Sequence, residues 1–70
     1  MAVRQEITRH EEFRRRRGYG VTALARAIGY SHTYVSRVEG GQVKPSPRYR
    51  RAVARLLKVP EELIFGEEAA

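Results

Sequence analysis

Arginine is the residue with the most evident chemical use in this sequence. Twelve of the 14 basic residues are arginines, and all 14 lie between Arg4 and Lys58. Only four glutamates oppose them in residues 1–58, which leaves this part at +10, whereas residues 60–70 carry four glutamates and no base. Such a distribution favours a polyanion such as nucleic acid as the partner, and a merely solvated basic surface is the alternative. Membrane-surface binding is disfavoured, because the arginines do not share a stretch with a bulky apolar face.

Residues for catalysis or metal binding do not occur at useful spacings. Serine, histidine and glutamate are present, but no nucleophile–base spacing or carboxylate pair stands out, so we expect no enzyme. His10 and His32 have no spaced partners, so we expect no metal, other cofactor or small-molecule ligand. The absence of cysteine excludes a disulfide-stapled fold and a cysteine-ligated zinc module.

Length and composition predict one small domain. The 70 residues suffice for a single domain, 1–70, with no separate sensor. The apolar content of 41% is enough for a small core. No apolar run approaches the roughly 20 residues of a membrane span, and no signal peptide is evident. We therefore expect a cytoplasmic protein.

Helix caps and apolar spacing predict two helices in the first half of the chain. Thr8-x-x-Glu11 is typical of a capping box, which predicts a helix from Thr8 to Arg17, ended by Gly18. Val21 to Ile28 places apolar residues at i, i+3, i+4 and i+7, and Gly29 ends this second helix. Residues 1–7 are expected to form either a flexible arm or an extra turn anchored by Ile7.

Three further helices are predicted in the second half, which makes the fold class all-α. Ser31 is a suitable N-cap for a helix from His32 to Glu39. Ser46, followed by proline at the first helical position, begins a fourth helix that Val59-Pro60 ends. Residues 61–65 suggest a final turn, and residues 66–70 a frayed acidic tail.

Some side chains are expected to be structural. His10 is predicted to be a half-buried packing residue. The four tyrosines are predicted to lie at the core edge with their hydroxyls in water. They are Tyr19, Tyr30, Tyr34 and Tyr49.

The second and third predicted helices have the spacing of a helix-turn-helix. Two eight-residue helices joined by about three residues that include glycine are typical of this motif. Ala25 is small enough for close helix packing, Gly29 permits the reversal, and Val35 anchors the third helix. The N-terminal half of the third helix is left facing outward, with its positive dipole end exposed.

These residues, with others at the same order and spacing, resemble the phage repressor and Cro-type helix-turn-helix domains. The resemblance covers about Phe13 to Phe65. It rests on Arg14-x-x-Arg17-Gly18, Leu24-Ala25-x-x-Ile28-Gly29-Tyr30-Ser31, Tyr34-Val35-Ser36-Arg37-Val38-Glu39-x-Gly41, Lys44-Pro45-Ser46 and Val59-Pro60-Glu61-Glu62-Leu63. It implies a compact five-helix repressor-like fold that binds double-stranded DNA.

The resemblance also implies roles for particular residues. Base edges in the major groove would be read by His32, Thr33, Ser36 and Arg37. Phosphates would be contacted by the Val21 backbone, Gln42, Lys44 and Arg48. Apart from the resemblance, the Tyr34 hydroxyl is a further candidate donor to a phosphate. Arg14 would pair with Glu39 as a structural ion pair. Val21 departs from the glutamine that many members carry there, and Gly20 departs from the usual polar N-cap.

The expected function is a sequence-specific transcriptional regulator, a homodimeric repressor that occupies an operator. Leu63, Ile64 and Phe65 are the candidate dimer interface, since three consecutive apolar residues are too many for so small a core. A regulatory protein partner is also possible. Two alternatives stay open: an antitoxin-like or adaptor protein whose helix-turn-helix domain mainly binds protein, and a non-specific nucleic-acid packaging protein.

Overall fold

The chain folds into five short helices, as seen in a computed structural model that describes residues 8–66. They are α1 (Arg9–Arg16), α2 (Val21–Ile28), α3 (His32–Glu39), α4 (Pro47–Leu57) and α5 (Glu61–Phe65). No strand occurs within residues 8–66, so the all-α prediction is confirmed. The predicted arm, 1–7, and the last four residues of the predicted tail lie outside the described residues.

Side-chain caps explain where three of the helices begin. The Thr8, Ser31 and Ser46 hydroxyls accept hydrogen bonds from the backbone N–H three residues later, at 3.1–3.2 Å. Each bond satisfies a donor that the first turn of a helix otherwise leaves unpaired. The capping box at α1 is only half formed, because Glu11 does not return the bond. Its carboxylate lies 2.7 Å from Arg15 Nη2 instead.

A left-handed glycine sets the angle between α2 and α3. Gly29 adopts φ +80° and ψ +31° at the end of α2. The N–H groups of Gly29 and Tyr30 both donate to the Ala25 carbonyl at 2.9 Å. A residue with a Cβ is strained in this conformation, which is why glycine occupies the turn.

The core lies where α2, α3, α4 and α5 meet. Its buried apolar residues are Leu24, Ala25, Val35, Val38, Tyr49, Val53, Ala54, Leu57 and Ile64. Tyr49 is fully buried, so the prediction that its hydroxyl reaches water is wrong. Its ring packs edge-on against Tyr30 and Tyr34, each at a centroid distance of 5.1 Å.

No helix within the described residues is long and apolar enough to cross a membrane.

The N-cap of α3 provides the first prediction. Ser31→Ala removes the acceptor of the Tyr34 N–H bond, and we expect the free energy of unfolding to fall by about 1 kcal/mol. Ser36→Ala is the matched control, because Ser36 is exposed on the same helix and caps nothing. It should change stability by less than about 0.5 kcal/mol. Urea unfolding measures both, and equal losses would contradict the role of the cap.

Candidate nucleic-acid interface

The outward face of α3 presents four polar side chains. His32, Thr33, Ser36 and Arg37 are all exposed, whereas Val35 and Val38 are buried. Positions i, i+1, i+4 and i+5 share one side of a helix. The structure therefore brings the four predicted base-contacting residues onto one surface. Within residues 8–66 the Arg37 guanidinium has no hydrogen bond or ion pair, so all its donors face solvent.

The loop after α3, residues 40–46, and the start of α4 contain three of the predicted phosphate contacts. Gly41, at φ +78°, turns the chain, and the Gln42 N–H donates to the Arg37 carbonyl at 2.9 Å. Gln42, Lys44 and Arg48 are exposed in the loop and at the start of α4.

Arg50 holds this loop in place, a role that the sequence did not reveal. Arg50 Nη1 donates to the Pro45 carbonyl at 2.9 Å, and its Nε lies 3.7 Å from Glu61 Oε1. Since 3.7 Å is too long for a hydrogen bond, the contact with α5 is electrostatic.

Tyr34 links α3 to the start of α4. Its hydroxyl accepts the Ser46 N–H at 3.4 Å, and its ring stacks on Tyr30 at a centroid distance of 5.1 Å. The O–H proton remains available to an acceptor in solvent.

The N-terminus of α2 has no side-chain cap. Gly20 occupies the N-cap position in extended conformation; its carbonyl accepts the Leu24 N–H at 2.9 Å, but it has no side chain to accept an N–H of the first turn. The Val21 side chain packs partly against the core, so only its backbone can face a ligand. Unpaired N–H groups at a helix N-terminus attract anions.

A partly buried carboxylate, Glu39, connects α3 to α1; its side chain is 12% exposed. Arg14 Nε donates to Glu39 Oε2 at 2.6 Å, and Arg14 Nη2 donates to Oε1 at 3.1 Å. Arg14 Nη1 also donates to the Tyr19 carbonyl at 2.8 Å, which fixes the loop before α2. The structure thus brings together the Arg14–Glu39 pair that the resemblance implied.

His10 is a third member of this network and was not foreseen. It is buried rather than half-buried, with 4% of its surface exposed. Its Nδ1 lies 2.7 Å from Glu39 Oε2, and its Nε2 lies 2.8 Å from the Tyr49 hydroxyl. Nδ1 is therefore the donor to the carboxylate, and in the neutral ring Nε2 accepts from Tyr49. The sequence signal was the position of His10 one helical turn before Arg14 on the same face.

The network shifts the ionisation of its members. Burial by itself raises the pKa of the Glu39 carboxyl, but the hydrogen bonds from His10 and Arg14 outweigh burial and lower it from 4.5 to about 2. The hydrogen bond to Glu39 raises the pKa of Arg14. Burial raises the pKa of the Tyr49 phenol well above its ordinary range. Glu39 is accordingly a permanent carboxylate near neutral pH.

The three candidate interface residues on α5 differ in how much of their surface is exposed. Leu63 is exposed, at 45%, whereas Ile64 is only 5% exposed within the core. The expectation that Ile64 is available to a second subunit is therefore wrong. Phe65 is partly buried and lies edge-on to His10 at 5.8 Å. Leu63 is the one large apolar residue that residues 8–66 leave exposed.

Comparison with known proteins decides the family. Residues 11–64, more than half of the chain, match the family described as helix-turn-helix domain. The chain belongs to this family. Searches of curated proteins and of solved structures find no match for it. Helix-turn-helix domains are DNA-binding modules and typically not enzymes. Within residues 8–66, this domain has no group of three residues that could hold a metal ion.

The second prediction concerns Glu39, the carboxylate that joins α3 to α1 in the helix-turn-helix domain. Glu39→Gln leaves Arg14 buried without its counter-charge, and we expect a loss of about 3–5 kcal/mol in the free energy of unfolding. Glu12→Gln is the matched control, because Glu12 pairs with Arg16 at 3.0 Å on the surface. It should cost less than about 1 kcal/mol. A thermal melt in which Glu39→Gln loses no more than the control would refute the structural role of Glu39.

The third prediction concerns pH. The pKa of Glu39 is about 2 in the folded chain and 4.5 ordinarily, so the unfolded state binds this proton more readily. The stabilisation is fully present above about pH 4.5 and is lost as the pH falls towards 2. Urea unfolding from pH 6 to pH 2 should show a weaker pH dependence in Glu39→Gln than in the wild type. If the unfolding free energies of the two proteins changed equally with pH in this range, the lowered pKa of Glu39 would be contradicted.

Proposed function

We propose that this domain is a homodimeric, sequence-specific regulator of the phage repressor and Cro type, which reads an operator in double-stranded DNA through α3. The observation that carries the proposal is the set of four exposed polar side chains on one side of α3. Arg37 among them has every donor available to a ligand. The protein acts by occupying DNA, and no catalytic step or cofactor enters the proposal.

Arg37 is the proposed main source of base discrimination. A guanidinium matches the O6 and N7 acceptors of guanine, and such a bidentate pair contributes about 1–3 kcal/mol of discrimination. Thr33 offers a methyl group to thymine or a hydroxyl to a base or phosphate. His32 and Ser36 lie on the same surface and are the remaining proposed base contacts.

The proposed phosphate contacts flank α3 on two sides. One is the uncapped start of α2, where the Val21 N–H is available. The other is the loop and α4 start, with exposed Gln42, Lys44 and Arg48 and the Tyr34 hydroxyl beside Ser46. Phosphate contacts fix the register of a protein on the duplex, and base contacts choose the sequence.

Dimerisation follows from the small size of the reading surface. One eight-residue helix contacts only a few base pairs, so two half-sites about 34 Å apart greatly increase discrimination. Leu63 supports α5 as part of the interface, because it exposes 45% of its surface.

A second candidate function is that of an antitoxin-like or adaptor protein that binds another protein through α5. The exposed Leu63, beside the exposed Glu62, favours this reading. The two candidates differ at α3, since a protein-binding role through α5 does not require Arg37.

The fourth prediction tests the role of Arg37. Arg37→Ala should relax the preference at one base pair in each half-site, because the bidentate contact is lost. Arg26→Ala is the control, since it removes an exposed charge of the same sign from α2. Arg26→Ala should weaken DNA binding without changing the base preference. Selection of bound sequences from a random library measures both, and an unaltered preference in Arg37→Ala would reject the assignment.

The fifth prediction tests the loop. Lys44→Ala should weaken binding to all duplex sequences alike and reduce the slope of log K against log salt by about one. Fluorescence anisotropy over a salt series provides the slope. An unchanged slope would show that Lys44 contacts no phosphate.

A further inference from the structure

A groove between α2 and α4 has a volume of about 500 Å³. Apolar side chains from both helices line it, namely Ala27, Ile28, Ala52 and Leu56. The other lining residues include Arg55 and Lys58, both exposed, and no acidic residue is among them. The groove thus combines an apolar floor with a positive rim.

The groove lies away from the proposed DNA surface. Apart from Tyr19, which lies in the loop before α2, its lining residues lie towards the C-terminal ends of α2 and α4, whereas the proposed phosphate contacts use the N-terminal ends. Arg48 lies in the first turn of α4 and Lys58 is the C-cap of that helix, ten residues later, which corresponds to about 15 Å along a helix. A partner in this groove therefore leaves α3 and the loop after it accessible.

The same chain carries a segment of complementary chemistry. Leu63 on α5 is exposed, and Glu62 beside it is exposed as well. Glu62 has no side-chain partner within the part of the chain that the structure describes. Two more glutamates, Glu67 and Glu68, follow in the sequence, and no base occurs after Lys58. Leu63 is not among the residues that line the groove of its own chain, and the neighbouring Ile64 is held in the core.

We propose that the groove is the docking site for α5 of a second copy of this chain, with Leu63 on the apolar floor and Glu62 facing Arg55 and Lys58. The inference rests on the homodimer of the proposed function and names the surface that each subunit offers. Each copy both gives α5 and receives it, as a two-fold dimer requires. The two surfaces are close in the chain, since α4 ends at Leu57, four residues before α5 begins at Glu61.

Charge reversal in two separate chains tests the exchange most sharply. In a dimer of two Arg55→Glu copies, the introduced carboxylate of each copy lies opposite Glu62 of the other. In a dimer of two Glu62→Arg copies, the introduced guanidinium of each copy lies opposite Arg55 of the other. Because like charges across an interface are costly, each variant alone should self-associate at least about tenfold more weakly than the wild type. In a mixture, both contacts between positions 55 and 62 of the mixed dimer pair opposite charges. Sedimentation equilibrium and native mass spectrometry at low salt should therefore show a 1:1 heterodimer.

Two further substitutions test the apolar floor. Leu63→Ser and Ala27→Glu should each weaken self-association by a similar factor, because one removes the inserted side chain and the other blocks the groove. Ala23→Glu, also exposed on α2 but outside the groove, is the control and should associate as the wild type does. A thermal melt of each variant verifies that the fold is intact.

Several outcomes would overturn the inference. They are a monomeric wild type, no recovery in the mixture of charge variants, or loss of the dimer on Leu63→Ser with none on Ala27→Glu. The last result would mean that α5 pairs with α5 of the second copy or with another part of it. Duplex DNA binding by the wild type is the separate measure of the proposed function. If DNA binds while groove variants associate normally, only the docking site is wrong, and if no DNA binds, the proposed function fails.

Discussion

One carboxylate, Glu39, ties the end of α3 to α1, and its side chain is only 12% exposed. Glu39 ends this helix and accepts hydrogen bonds from Arg14 and His10 of α1. His10 extends the connection to Tyr49 of α4, and Arg14 extends it to the backbone before α2. One hydrogen-bonded network around Glu39 therefore joins four parts of the chain, in a domain too small to hold a large apolar core. A buried ion pair is not by itself a strong source of stability, but the loss of one partner is costly. Arrangements of α3 that separate Glu39 from Arg14 are thereby disfavoured, and the exposed face of α3 is held in one direction.

Local signals in the sequence were sufficient for most of the fold. α2, α3 and α5 begin and end where the caps, the apolar spacing and the glycine at position 29 predicted, and α1 is one residue shorter at each end. The parts that could not be predicted are non-local or too short to show a period. The His10–Tyr49 hydrogen bond joins residues 39 positions apart, and no spacing rule connects them. In the five residues of α5, no repeat distinguishes Ile64, which is buried, from Leu63, which is exposed. Arg50 was one arginine among twelve until its bond to the Pro45 carbonyl was seen.

Two surfaces at opposite ends of α2 and α4 divide the tasks of the protein in our proposal. In this proposal, the N-terminal ends, α3 and the loop after it bind the phosphates and bases, and the C-terminal ends form the groove for a second subunit. Arg50 joins the loop to α5, because its Nη1 donates to the Pro45 carbonyl and its Nε lies 3.7 Å from Glu61 Oε1. The basic residues up to Lys58 supply general affinity for a phosphate backbone, and the acidic segment that follows is repelled by DNA and suited to protein contacts.

Selection of genomic DNA fragments that bind the wild-type protein at physiological salt tests whether a two-fold dimer reads a specific DNA sequence. We predict enrichment of one motif made of two symmetric half-sites whose centres lie about 10 base pairs, or one helical turn, apart. Such a result would report sequence specificity and two-fold binding together. Retention of fragments without any shared motif would contradict it, because a basic surface alone binds every sequence alike.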